Sequence, residues 1–155
     1  MEVFEHFGVE LLEKAQDFDF VILDEIGGFE VLSDVFMEAL MKLLESADVF
    51  LTNTRPAGLK RLGLSYEEVK ARRPDIIYAI LLGYGEKGPE GGNPAFDSTA
   101  FWSKSGFLRD QSPLTNDYMP INPPFGVGDT MTGFLLPVAL LGITCGLVVI
   151  EPHLS

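Results

Sequence analysis

Residues 48–85 read DVFLTNTRPAGLKRLGLSYEEVKARRPDIIYAILLGYG, and the order of elements within them decides the fold. Asp48-Val49-Phe50-Leu51-Thr52 has the pattern of a strand. Asn53-Thr54-Arg55-Pro56 ends it with turn residues, and a short helix is expected over residues 58–62. Ser65 stands directly before Tyr66-Glu67-Glu68, a capping box in form, opening a helix that runs to about Arg73 and stops before Pro74. Residues 76–82, IIYAILL, are the next strand, continuous and β-branched enough to be central in a sheet. Strands alternating with helices at this spacing point to an α/β layer with a parallel sheet.

Upstream, residues 9–15 carry apolar positions at helical spacing. Residues 18–23, FDFVIL, are an apolar run ending in Asp24-Glu25, the pattern of a buried parallel strand, and Gly27-Gly28 breaks it. A helix is expected over residues 33–45, where Val35, Phe36, Ala39, Leu40, Leu43 and Leu44 repeat at helical spacing, with Ser33 as N-cap and Asp34 in the first turn. Downstream, residues 83–128 are rich in Gly, Pro, Asn and Ser and predict loops, with one helical stretch over 98–104. So long an irregular stretch is usually functional or unfolded rather than packing filler.

Charge is unevenly spread. The net charge is −12. Residues 1–50 hold thirteen acids against two lysines, residues 51–74 hold six bases against two glutamates, and residues 75–155 hold eight acids against three bases. An acidic chain repels polyanions, so nucleic acid is not an expected partner. An anionic ligand would be sought at the basic island of Arg55, Lys60, Arg61, Lys70, Arg72 and Arg73. The single cysteine, Cys145, excludes an internal disulfide and a cysteine-based metal site, and agrees with a cytoplasmic home. The acidic N-terminus lacks the features of a signal peptide. Residues 134–150, FLLPVALLGITCGLVVI, are uncharged but marginal in length for a membrane span, and they read as a buried helix with a strand-like end. Membrane insertion is the lesser reading.

Four short segments go beyond a generic α/β domain. They are Thr52-Asn53-Thr54-Arg55-Pro56 with Lys60-Arg61-Leu62-Gly63-Leu64; Pro74-Asp75-Ile76-Ile77-Tyr78 leading to Leu82-Gly83-Tyr84-Gly85 and Gly88-Pro89; Asn93-Pro94-Ala95-Phe96-Asp97; and Gly126-Val127-Gly128-Asp129-Thr130-Met131-Thr132-Gly133. Their order and spacing resemble the family III CoA-transferases, the group of formyl-CoA and carnitine CoA transferases. LGYGEKGP and FDSTAFW look most like the branch acting on aromatic 2-hydroxy acids in anaerobes. The resemblance spans about residues 47–141 and implies a Rossmann-like parallel-sheet fragment of that family's fold.

The resemblance also implies chemistry. Asp129 occupies the position of the family's nucleophilic aspartate, in a G-D-x-x-x-G turn opening a helix. A carboxylate between glycines can be closely approached, and free N–H groups at a helix start could stabilise an oxyanion. On spacing alone the helix N-cap reading of Asp129 is the favoured one, and the presence of the other three motifs reverses that preference. Asn53, Thr54 and Arg55 match the family's CoA-contacting loop and Arg61 a further basic contact, although Arg61 alone could equally belong to a solvated basic face. Phe96 and Asp97 fall where the family has Tyr followed by Asp or Glu beside the active site, and Phe96 lacks the phenol. The implied partners are an acyl-CoA and a small carboxylic acid, with CoA as substrate, no separate cofactor or metal, and a homo-oligomeric state. His6 and His153 read as surface residues, Cys145 as a small buried hydrophobe, and Trp102 as core.

Residues 1–46 do not match that family. FDFVILDEIGGFEVLSDVFMEAL resembles the Walker B strand and following helix of a small P-loop nucleoside-triphosphatase family, with Asp24 and Glu25 as its acids, yet no phosphate-cradling loop precedes it. The chain therefore reads as a chimera: a strand–helix segment over 1–46, a partial family III domain over 47–150 and a tail over 151–155. It is expected to fall short of a full transferase. Three functions stay open: CoA transfer, a nucleotide-binding remnant, and a non-catalytic α/β fragment.

Overall fold

The computed structural model describes residues 2–24, 26, 32–111 and 126–144. The chain divides into two compact units, Met1–Leu82 and Gly83–Ser155.

In the first unit, helix α1 (Glu2–Ala15) packs on helix α2 (Asp34–Ser46). Gly8 makes the approach possible, since a Cβ there would sit 3.1 Å from the Phe36 ring. Ser33 caps α2 as its position predicts, its Oγ accepting the Phe36 N–H at 3.1 Å. Strand β1 (Val49–Thr52) and strand β2 (Ile77–Ile80) pair in parallel, with Val49 opposite Ile77 and Thr52 opposite Ile80. Helices α3 (Pro56–Arg61) and α4 (Tyr66–Arg72) form the crossover between them. The Ser65–Glu68 capping box is present, the Ser65 N–H donating to Glu68 Oε2 at 3.0 Å and the Glu68 N–H to Ser65 Oγ at 3.4 Å. That hydrogen bonding from Ser65 holds the Glu68 carboxyl below its usual range.

The core gathers one face of α2 (Phe36, Ala39, Leu40, Met41, Leu44) with Leu12, Leu59, Leu64, Val69 and Ile76. Full burial of a side chain such as Val69 stabilises by about 2 kcal/mol. Tyr78 fastens the sheet to the crossover, its hydroxyl donating to the Leu64 carbonyl at 2.8 Å and its ring lying between Phe50 and Tyr66. Among the described residues the sheet holds only these two strands, so β2 is not the central strand its composition predicts.

Residues 18–23 also depart from expectation. They form no strand, and Phe20 and Ile22 are 80% and 75% exposed. A strand exists only where another backbone pairs with it, and an apolar run by itself supplies none. The Walker B reading required a buried strand delivering Asp24 and Glu25. Asp24 instead lies exposed on irregular chain, and Glu25 is outside the described residues. The nucleoside-triphosphatase resemblance is not borne out.

In the second unit, turns over residues 83–93 lead to the stretch expected to be helical over 98–104, which winds as a π-helix (Asp97–Ser103). Helix α5 (Phe107–Gln111) was not anticipated; Phe107 stacks on Phe101 with ring centroids 5.2 Å apart. Helix α6 (Val127–Thr144) follows. It is long and apolar enough to cross a membrane by length and composition, but only 11% of it is buried, and Phe134, Leu135, Val138 and Leu141 are exposed. The burial expected of residues 134–150 does not hold over 134–144, and the strand-like end expected at 145–150 lies outside the described residues. A helix apolar all round buries itself only where other elements surround it, and its chief neighbour among the described elements is the π-helix. Cys145 and His153 lie outside the described residues.

Candidate active site

Helix α6 begins from Gly126, whose φ of +76° lies in the left-handed region and whose carbonyl accepts the Thr130 N–H at 2.8 Å. Val127, Gly128 and Asp129 follow as its first turn, and the Asp129 side chain is exposed. Asp129 is therefore inside the helix rather than its N-cap. Gly126 stands at the cap position and has no side chain to offer.

A residue far back in the chain performs the capping. Asp97 Oδ1 accepts the Asp129 N–H at 3.2 Å, and Oδ2 accepts the Gly126 N–H at 3.0 Å. Trp102 Nε1–H also donates to Oδ2, at 3.1 Å. The wide π-helical turn brings residue 102 back over residue 97, and the Lys104 N–H to Thr99 carbonyl bond shows the same five-residue spacing. Trp102 is 7% exposed, in keeping with a core residue, but its indole N–H is committed to this carboxylate. Phe96 is 76% exposed, and its backbone N–H donates to Thr99 Oγ1 at 3.0 Å.

Two expectations change. The glycines flanking Asp129 suggest room for close approach to its carboxylate, but a Cβ on Gly128 would run into Asp97 Oδ1 and the Phe101 ring, so Gly128 makes room for the cap. The N–H groups of Gly126 and Asp129, offered by the sequence to an oxyanion, are already held by Asp97.

The other candidates lie in the first unit. Asn53, Thr54 and Arg55 form the turn from the carboxyl end of β1 into α3, the edge at which parallel α/β sheets bind ligands. The Thr54 N–H donates to Thr52 Oγ1 at 3.1 Å, Arg55 occupies the N-cap of α3, and Asn53 and Arg55 are exposed. Arg61, at the far end of α3, lines an open cavity of about 540 Å³ with Asp34, Met37, Glu38, Met41 and Arg72. Asn53, Thr54 and Arg55 do not line it. Of the basic island, Arg72 pairs with Glu45 at 3.0 Å and Arg73 with Asp48 at 3.1 Å, whereas Arg55, Lys60 and Arg61 make no salt bridge among the described residues. His6 is exposed.

The model of CoA-transferase family III matches residues 34–147. The chain belongs to that family. The match begins at Asp34, so α2 lies within it. Among relatives, (R)-2-hydroxy-4-methylpentanoate CoA-transferase of Clostridioides difficile is 39% identical over 105 residues, covering 68% of this chain and 26% of that protein. Cinnamoyl-CoA:phenyllactate CoA-transferase of Clostridium sporogenes is 37% identical, covering 66% of this chain and 24% of that protein. A solved structure of Rv3272 from Mycobacterium tuberculosis superposes with a TM-score of 0.63 at 29% identity, over 72% of this chain and 31% of that one. The chain thus spans about a quarter of the length of the curated relatives it matches. The family's mixed helix and parallel-sheet fold accounts for the β1–α3–α4–β2 unit.

Sequence reasoning missed the indole donor of Trp102, the cap carried by Asp97 and the steric role of Gly128. The one visible signal was the spacing of Gly126 and Gly128 around a helix start that has no capping side chain of its own.

Proposed function

We propose that this chain carries the nucleophile-bearing segment of an enzyme transferring CoA from an acyl-CoA thioester to a carboxylic acid, with Asp129 as nucleophile. The observation that carries the reading is the exposed Asp129 carboxylate in a first helical turn anchored from outside the helix, within a family III chain. A carboxylate oxygen of Asp129 attacks the thioester carbon, the C–S bond breaks, and CoA leaves as thiolate, giving a mixed anhydride. The thiolate attacks the aspartyl carbonyl and expels the donor acid, leaving an aspartyl-CoA thioester. An acceptor carboxylate attacks that thioester, and the released thiolate then takes the acceptor acyl group, restoring Asp129. One thioester replaces another, so the sequence balances without ATP or metal.

Arg55 and Arg61 are proposed as contacts for CoA phosphates, with Asn53 and Thr54 beside them. The acceptor class is a 2-hydroxy acid, an inference supported by the names of the two clostridial relatives. The reading includes a cytoplasmic homo-oligomer whose partners are neither nucleic acid nor membrane.

The test is intact-mass spectrometry after incubating the chain with a panel of acyl-CoAs, beside Asp129→Asn. A CoA-sized adduct that hydroxylamine removes and the variant lacks is expected. No adduct from a folded chain would sink catalysis by this chain.

A further inference from the structure

The Asp97 carboxylate is spent on three donors: the Gly126 N–H, the Asp129 N–H and the Trp102 indole. A carboxylate has about four accepting positions, so little capacity remains for a ligand. Two of the three donors belong to the helical turn that bears Asp129, and they lie 29 and 32 residues downstream. The third comes from the π-helix that holds Asp97 itself. The indole bond fixes the rotamer of the carboxylate, and the carboxylate fixes the turn.

Two glycines make sense only in this light. Gly126 cannot cap α6 because it has no side chain, and its positive φ turns the backbone so that its own N–H meets Asp97. Gly128 cannot carry a side chain because Asp97 Oδ1 and Phe101 fill the space beside its Cα. Asp97, Trp102, Gly126 and Gly128 thus form one restraint on the start of α6, made entirely within the second unit.

We propose that Asp97 is a positioning residue: a remote cap that fixes the first turn of α6 and thereby aims the Asp129 carboxylate, rather than a contact of CoA. The proposal rests on Asp129 being the nucleophile. Attack on a thioester carbon needs the oxygen held in line and in contact, and a displacement of about 1 Å lowers such rates about 100-fold. The Asp129 side chain is exposed and a single turn from its helix end, a place where helices fray. The Asp97 clamp supplies the rigidity which that position otherwise lacks.

Two measurements on the full chain test this. In the first, the rate of aspartyl-CoA formation is followed against acyl-CoA concentration for wild type, Asp97→Ala and Asp97→Asn. Positioning predicts a limiting rate lowered roughly 10- to 100-fold in Asp97→Ala, with half-saturation moved less than about twofold. Asp97→Asn retains one accepting oxygen and should fall between. A raised half-saturation at an unchanged limiting rate would make Asp97 a CoA contact and overturn the proposal.

The second measurement needs no acyl-CoA. Trp102 is the sole tryptophan, so its indole N–H gives one resonance in a 15N-labelled sample. In Asp97→Asn this resonance should move together with the Gly126 and Asp129 amides, while those of α3 and α4 stay in place as a control on folding. Unmoved Gly126 and Asp129 amides would overturn the restraint. If wild type forms no adduct, the nucleophile reading fails, and the resonances alone then decide whether Asp97 holds the turn.

Discussion

A methyl group at residue 128 would have to displace both the Asp97 carboxylate and the Phe101 side chain, because both lie against that Cα. Overpacking of this kind costs about 1–3 kcal/mol. Gly128→Ala is therefore expected to lower the unfolding midpoint of the second unit, read from Trp102 fluorescence, and to slow adduct formation alongside. Gly133→Ala is the matched control, since nothing lies within 4 Å of its Cβ position. An equal effect of the two substitutions would show that helix propensity, not the clamp, sets the cost. Asp129→Asn touches none of these bonds through its side chain, so the same fluorescence should leave its stability unchanged while the adduct disappears.

The caps of α2 and α4 are local devices whose worth can be measured element by element. Ser33→Ala removes the acceptor of the Phe36 N–H and should destabilise the first unit by about 1 kcal/mol, seen as a lower urea midpoint without a change of slope. The capping box of α4 adds a pH dependence. Hydrogen bonding from Ser65 lowers the Glu68 carboxyl relative to its unfolded value. A lowered acid stabilises fully above its unfolded pKa, about 4.3, and that contribution disappears as pH falls through the folded value. Amide shifts of residues 66–72 should report fraying of α4 below that point, and Glu68→Gln should flatten the response. A titration of α4 identical in wild type and Glu68→Gln would remove the box as its cause. The ion pairs of Arg72 and Arg73, both solvent-exposed, contribute at most about 1 kcal/mol each and add salt sensitivity rather than rigidity.

At the scale of the whole molecule, the family match runs through both compact units, and α6 exposes the apolar side chains of Phe134, Leu135, Val138 and Leu141. Contiguous exposed apolar surface drives association. Light scattering of the chain should rise with concentration more steeply than for a Phe134→Glu, Leu141→Glu double variant. Equal scattering would show that α6 is not the adhesive surface. The exposure of α6 departs from its composition because apolar content records what a helix can bury, whereas the surrounding elements determine what it does bury.

The sequence by itself determined the features written within a few consecutive residues. Periodicity placed α2 and residues 9–15 of α1, the Ser65 capping box placed α4, Ser33 marked the start of α2, apolar runs placed β1 and β2, and the motif order located Asp129 at the head of α6. Only the tertiary structure decided that residues 18–23 pair with no strand among the described residues, that residues 97–103 wind as a π-helix, and that Asp97 holds the turn bearing Asp129. The physical reason is range. Caps and periodic faces depend on neighbours three or four positions away, whereas strand pairing and the Asp97 clamp depend on groups tens of residues apart, and no local pattern records whether those groups will meet.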